Sequence, residues 1–265
     1  VPNQHDNART ALPQKKANKL LSEKSCGVVR KLYDKEEAVR KVKGIVVVQF
    51  CPYKESGDLD LEGLKENTEF LVDFAKGKDV MILTNGSTTE AYANSIDEQK
   101  DVIRTVVNTV NGKLPVIAGV SQPGARETIK LAKYAEEAGA DYAMVVLPYY
   151  HKASREGMYN YYKELNDNVE IPIVVYNNPD VSATLIDVDL MIRLSDLDRI
   201  VAVKDNSPNF FEYFWKSVKV DHKKLALLAG HGELQFVAAN SFGFNYTGFV
   251  TSIANLAPSL SYDVY

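Results

Sequence analysis

A lysine ends the apolar run Ile200-Val201-Ala202-Val203-Lys204-Asp205, and an amine so placed can attack a carbonyl. Burial at the end of a covered strand disfavours the ammonium, lowers its pKa and frees the amine to form an imine with a ketone. The plainer alternative is a lysine that snorkels out of the strand end and pairs with Asp205. Residues of matching chemistry stand at the ends of the other apolar runs. Ser87 and Thr88 bring hydroxyls and backbone N–H groups that can hold a carboxylate, and Tyr176 can shuttle protons during carbinolamine formation. Tyr149, Tyr150, Glu233, Thr251 and Ser252 complete the set. Each has a structural alternative, such as turn capping for Ser87 and Thr88 or aromatic packing for the two adjacent tyrosines. Their joint occurrence with a strand-end lysine favours the imine chemistry.

Bringing those residues together requires an architecture in which strand ends converge. From residue 42 onward, short β-rich runs (42–50, 80–84, 115–118, 142–147, 171–176, 199–204, 225–229 and 246–250) alternate with helical periodicity. Alternation along the sixth run places Ile200, Ala202 and Lys204 on one face and Val201 and Val203 on the other. Runs apolar on both faces read as parallel strands covered on both sides. Eight such βα units predict an α/β fold, a (β/α)8 TIM barrel whose carboxyl-terminal strand ends form one face. No GxGxxG follows the first strand, which argues against a dinucleotide site. Residues 1–41 are polar and lack strand patterning, with helix expected over 14–23 and 34–42. They read as an N-terminal helical or irregular appendage to a barrel over 42–265. The eighth helix is interrupted at Tyr265, so a truncated C-terminal helical region is expected.

Composition excludes several classes. A chain of 265 residues with net charge -4 lacks the basic stripe needed to bind nucleic acid. No apolar stretch approaches the ~18 to 20 residues of a membrane span, and no signal-peptide core opens the sequence, so a cytoplasmic protein is expected. Cys26 and Cys51 read as free thiols, and His5, His151, His222 and His231 are too dispersed for a metal site.

The strand-end motifs carry a family resemblance. Gly86-Ser87-Thr88-Thr89-Glu90, Leu147-Pro148-Tyr149-Tyr150, Tyr176-Asn177-Asn178-Pro179 and Val203-Lys204-Asp205 resemble motifs of the dihydrodipicolinate synthase and N-acetylneuraminate lyase superfamily, class I (β/α)8 aldolases. The resemblance implies that Lys204 forms an imine with pyruvate or another small 2-oxo acid, with no cofactor and no metal. Tyr176 is then the proton shuttle, Tyr150 and Thr88 join the relay, and Ser87 and Thr88 bind the carboxylate. Tyr150 is expected to act across a dimer contact within a homodimer or homotetramer. Glu233 and Ser252 are expected to contact the second substrate. The expected activity is that of an aldolase-type lyase or a hydro-lyase of the same mechanism. The alternatives are 4-hydroxy-tetrahydrodipicolinate synthase proper, or a weakly active or inactive barrel that binds small acids or serves as an interaction module.

The chain departs from the family pattern in three places. Val181 stands where the synthases carry a carboxylate-binding arginine, which argues against an aldehyde bearing a carboxylate there. Only Glu233 remains of the acidic pair that sialate lyases place after strand 7. Thr89 replaces a glycine, and would be strained if that position required positive φ.

Overall fold

The computed structural model describes residues 33–265. The expected helix over 14–23, His5 and Cys26 lie outside the described residues. Eight parallel strands close into a barrel in sequential order: β1 (Gly44–Val48), β2 (Val80–Thr84), β3 (Val116–Gly119), β4 (Tyr142–Val146), β5 (Ile173–Asn177), β6 (Ile200–Asp205), β7 (Ala226–Ala229) and β8 (Gly248–Thr251). Helices connect them: α2 (Leu61–Phe74), α3 (Ile96–Val110), α4 (Ala125–Ala138), α5 (Arg155–Asn168), α6 (Pro179–Ser182) with α7 (Val188–Ser195), α8 (Phe210–Lys219) and α9 (Glu233–Ser241), and α10 (Pro258–Tyr262) follows β8. No helix among the described residues is long and apolar enough to cross a membrane.

Every strand residue is buried, which accounts for runs that are apolar on both faces. Alternation sends one set inward, including Val46, Val48, Met81, Leu83, Ile117, Met144, Val174, Ala202, Leu228 and Val250. The other set, such as Ile45, Val47, Ile82, Val145, Val175 and Leu227, packs under the helices. Strict alternation fails only at the start of β6. Pairing jumps from Ile173↔Ile200 to Val174↔Ala202, so Val201 is the extra residue of a bulge and packs inward with Ala202, while Ile200 turns to the outer layer. The bulge leaves the functional end of β6 in register, with Tyr176 opposite Lys204 and Asn177 opposite Asp205.

Side chains at the helix starts close several βα units. Asp60, Ser154, Asp187 and Asn209 accept from backbone N–H groups of the first turns, and Ser95 with Glu98 forms a reciprocal capping box. A further helix, α1 (Lys35–Lys41), covers the amino-terminal end of the barrel. Val39 and Val42 join the inner cluster, and the Tyr142 hydroxyl donates to the Ala38 carbonyl at 3.0 Å. Lys35 donates to the carbonyls of Ser195 and Leu197, which tethers α1 to the turn before β6. The seam between β1 and β8 demands glycine: a Cβ on Gly248 would lie 2.0 Å from the Gly44 carbonyl oxygen.

Candidate active site

Lys204 is the penultimate residue of β6 and points into the barrel, with only 5% of its surface exposed. Its burial, with no compensating carboxylate, pulls its pKa down to about 7. Asp205 does not serve as its partner. Alternation turns Asp205 to the outer side, where its carboxylate accepts from Lys216 at 3.1 Å, Asn177 at 2.7 Å, Ser207 at 2.8 Å and Tyr246 at 3.2 Å. Both members of the Asp205–Lys216 pair are fully buried. The alternative of a strand-end lysine paired with Asp205 is therefore corrected: the pair exists, but its cation comes from α8.

Tyr176, the neighbour across β5 and β6, also points inward. The Lys204 Nζ sits 4.1 Å from the centre of its ring. Burial raises the pKa of the phenol, and hydrogen bonds from Ser87 and Asn178 oppose that rise by favouring the phenolate. The Asn178 Nδ2 donates to the phenol oxygen at 2.8 Å. Lys204, Tyr176 and Ser87 thus meet at one site although they come from three separate stretches of sequence.

The turn after β2 is held from behind. Gly86 approaches β1 so closely that a Cβ there would lie 2.4 Å from a Val48 methyl carbon. Asn85 takes a left-handed conformation (φ 53°) and donates to the Gln99 carbonyl at 3.0 Å. The Gln99 side chain donates to Ala91 and Asn94 and accepts from Gln122 at 2.8 Å. These buried amides bond to main-chain carbonyls and, between Gln122 and Gln99, to each other, and so fix the turn that presents Ser87 and Thr88. Both hydroxyl residues are exposed at the turn's surface. Thr89 is unstrained, which corrects the expectation of a strained turn. It lies in the Ser87–Thr89 3-10 turn, its hydroxyl donates to the Gly86 carbonyl at 2.7 Å, and the left-handed residues are its neighbours Asn85 and Glu90.

The remaining expected residues are placed less directly. Tyr150 is 83% exposed and its ring meets His151 edge-on, whereas the preceding Tyr149 packs against the inner cluster. Within one chain, Tyr149 is the tyrosine turned toward the barrel mouth. One Glu233 oxygen accepts from Thr251 and from Ser261, each at 2.6 Å, so that oxygen ties α9 to β8 and α10. Ser252 begins the 3-10 turn Ile253–Asn255 and its carbonyl accepts from Asn255. Val181 lies on α6 with 41% of its surface exposed, offering an apolar surface and no cation. Sequence reasoning missed Asn178, Gln99, Gln122 and Lys216. Asn178 carried a signal, since alternation after Tyr176 turns residue 178 to the same side. The other three lie on or before helices whose packing no local pattern reports. Among the described residues, no group of three or more His, Cys, Asp or Glu is arranged to hold a metal ion.

The fold and this strand-end constellation define a lysine-centred (β/α)8 barrel. The model of the dihydrodipicolinate synthetase family matches residues 41–265, and the chain belongs to that family. It is 37% identical over 169 residues to 4-hydroxy-tetrahydrodipicolinate synthase of Methanothermobacter thermautotrophicus, a match covering 64% of this chain and 59% of the relative. It is 34% identical over 223 residues to the synthase of the same name from Archaeoglobus fulgidus, covering 84% of this chain and 74% of that one. Among solved structures, dihydrodipicolinate synthase from Acinetobacter baumannii complexed with pyruvate superposes with a TM-score of 0.76 at 29% identity, over 83% of this chain and 73% of that one.

Proposed function

We propose that the chain is a class I lyase that makes or breaks a bond next to a 2-oxo acid through an imine on Lys204. The observation that carries this reading is the buried Lys204 amine, its pKa brought down to about 7, set 4.1 Å from the ring of Tyr176. A neutral amine near neutral pH is the form that attacks a ketone. Its nitrogen adds to the carbonyl carbon of pyruvate or a related acid, and the carbonyl oxygen takes up a proton. Loss of that oxygen as water, after a second proton reaches it, leaves the imine. Tyr176 moves protons from nitrogen to the departing oxygen, with Ser87 bonded to its hydroxyl. Ser87 and Thr88 hold the carboxylate, and the pyruvate bound in the Acinetobacter relative supports that substrate class. Loss of a proton from the carbon beside the imine gives an enamine, which adds to an aldehyde; the reverse sequence cleaves.

In the cleavage direction the substrate is a sugar acid or hydroxy-oxo acid, and in the synthetic direction the aldehyde is not one held through its own carboxylate at Val181, which has no charge to offer. The name borne by the relatives favours 4-hydroxy-tetrahydrodipicolinate synthesis as the competing reading. Assay of the chain with pyruvate and a panel of aldehydes, in both directions, separates the two. Glu233 and Ser252 stay candidates for contacts to that substrate. Tyr150, exposed in one chain, fits a role in the site of a neighbouring copy within a homodimer or homotetramer, and light scattering tests the assembly. A cytoplasmic location and independence of any cofactor belong to the same proposal. Borohydride reduction in the presence of pyruvate is expected to add a stable pyruvate-derived adduct at Lys204, located by peptide mass. An unmodified Lys204 overturns the imine reading.

A further inference from the structure

We infer that Asn178 is a positioning residue for the proton shuttle: its side-chain amide donates to the Tyr176 oxygen and holds it for proton transfer at the imine. The inference rests on the imine reading of Lys204. Asn177 and Asn178 have opposite duties although they are adjacent. Asn177 faces outward and ties β5 to β6 through Asp205, whereas Asn178 faces inward beside Tyr176. Its backbone is locked, because its carbonyl accepts from Val181 at 3.2 Å and from Ser182 at 3.0 Å in the first turn of α6. Its side chain is buried, with Nδ2 2.8 Å from the phenol oxygen.

A buried amide costs free energy unless both of its ends find partners. Here the Oδ1 has none among the described residues, so the contact with Tyr176 is the amide's only side-chain hydrogen bond and leaves an acceptor open to a bound ligand. An amide is also suited to this role because it does not titrate. It stabilises the phenolate without competing for the proton in transit. The other groups around Tyr176 cannot replace it. Lys204 is largely uncharged above neutral pH, Asp180 disfavours the phenolate, Tyr149 shares the inner cluster without a charge, and Ser87 supplies a single hydroxyl.

The test uses two variants of the full chain. Asn178→Leu keeps the approximate size and removes the donor, and Asn178→Asp keeps the shape while replacing the donor with a carboxylate. Hydrogen-deuterium exchange at the methyl group of pyruvate, followed by NMR across the pH range of both titrations, reads proton transfer at the imine. Each variant is expected to slow exchange about tenfold to about a hundredfold, as for loss of a hydrogen bond to a charged group. The alkaline titration assigned to Tyr176 is expected to move up by about one pH unit or more in both variants, while the acid titration near that of Lys204 stays in place in Asn178→Leu and moves up in Asn178→Asp, whose new carboxylate favours the ammonium. A merely structural residue would lower the rate without moving the alkaline titration. Tyrosine Cζ NMR without substrate, with the Tyr176 signal assigned by its loss in Tyr176→Phe, reads the same titration independently of activity. An alkaline titration unchanged in both variants, or in whichever of them folds, overturns the inference. Absence of a pyruvate adduct in the unaltered chain strikes the imine reading alone.

Discussion

Lys204 owes its lowered pKa to isolation. Had it paired with the adjacent Asp205, a carboxylate at contact would have held its proton and made it a poor nucleophile at neutral pH. Alternation along β6 separates the two, and burial then acts on the amine alone. The sign of the pH dependence follows. Imine formation needs the neutral amine, so the adduct should form slowly below about pH 7, speed up through about pH 7 and then level off. Burial that lowers a lysine pKa also opposes folding. The cost is fully present below the folded pKa and fades as pH rises toward the value of 10.5 of an unburied lysine. Lys204→Met should therefore abolish the adduct yet raise the melting temperature, with the largest gain below about pH 7. A melting temperature unchanged across that range would show that the site does not desolvate the amine as its burial implies.

At the scale of the elements, β5, β6 and α8 are bound by one buried polar network. Asp205 accepts from Lys216 and Asn177, Asn177 in turn accepts from the Ile186 backbone, and the Asp205 backbone carbonyl accepts from Tyr213. Such a pair is expensive to desolvate but more expensive to break, because one charge is left buried without a partner. Lys216→Met should cost about 3 to 5 kcal/mol, read by denaturant unfolding. The double change with Asp205→Asn should recover part of that loss, and a purely additive pair would deny the coupling. The order of elements was legible in the sequence because covered strands and amphipathic helices leave unmistakable periods. Helix α1, expected over 34–42, spans Lys35–Lys41, and β2, expected over 80–84, is Val80–Thr84. The bulge at Val201 was not legible, since a run apolar on both faces carries no mark of where alternation slips.

At the scale of the molecule, the barrel works because its first and last strands meet. The approach of Gly248 to Gly44 leaves no room for a side chain, and every strand end that builds the site depends on that closure. Gly248→Ala should lower the melting temperature sharply and weaken pyruvate binding although the change lies at the opposite end of β8 from the site. Calorimetry with and without pyruvate reads both effects, and a variant that matches the parent in both would show that the seam can give way.

The eight-unit barrel and the strand-end placement of Lys204, Tyr176 and the Ser87-Thr88 turn were determined by the sequence itself, because hydrophobic period and strand-end position are local properties. The tertiary structure decided the partners. It alone gave Asp205 to Lys216, set Asn178 against Tyr176, placed Gln99 and Gln122 behind the turn, and turned Tyr149 rather than Tyr150 toward the barrel mouth. Those pairings join residues far apart in the chain or depend on which way a side chain leaves the backbone at a loop. Neither distance in space nor that direction is encoded in spacing along the sequence, so both emerge only when the barrel closes.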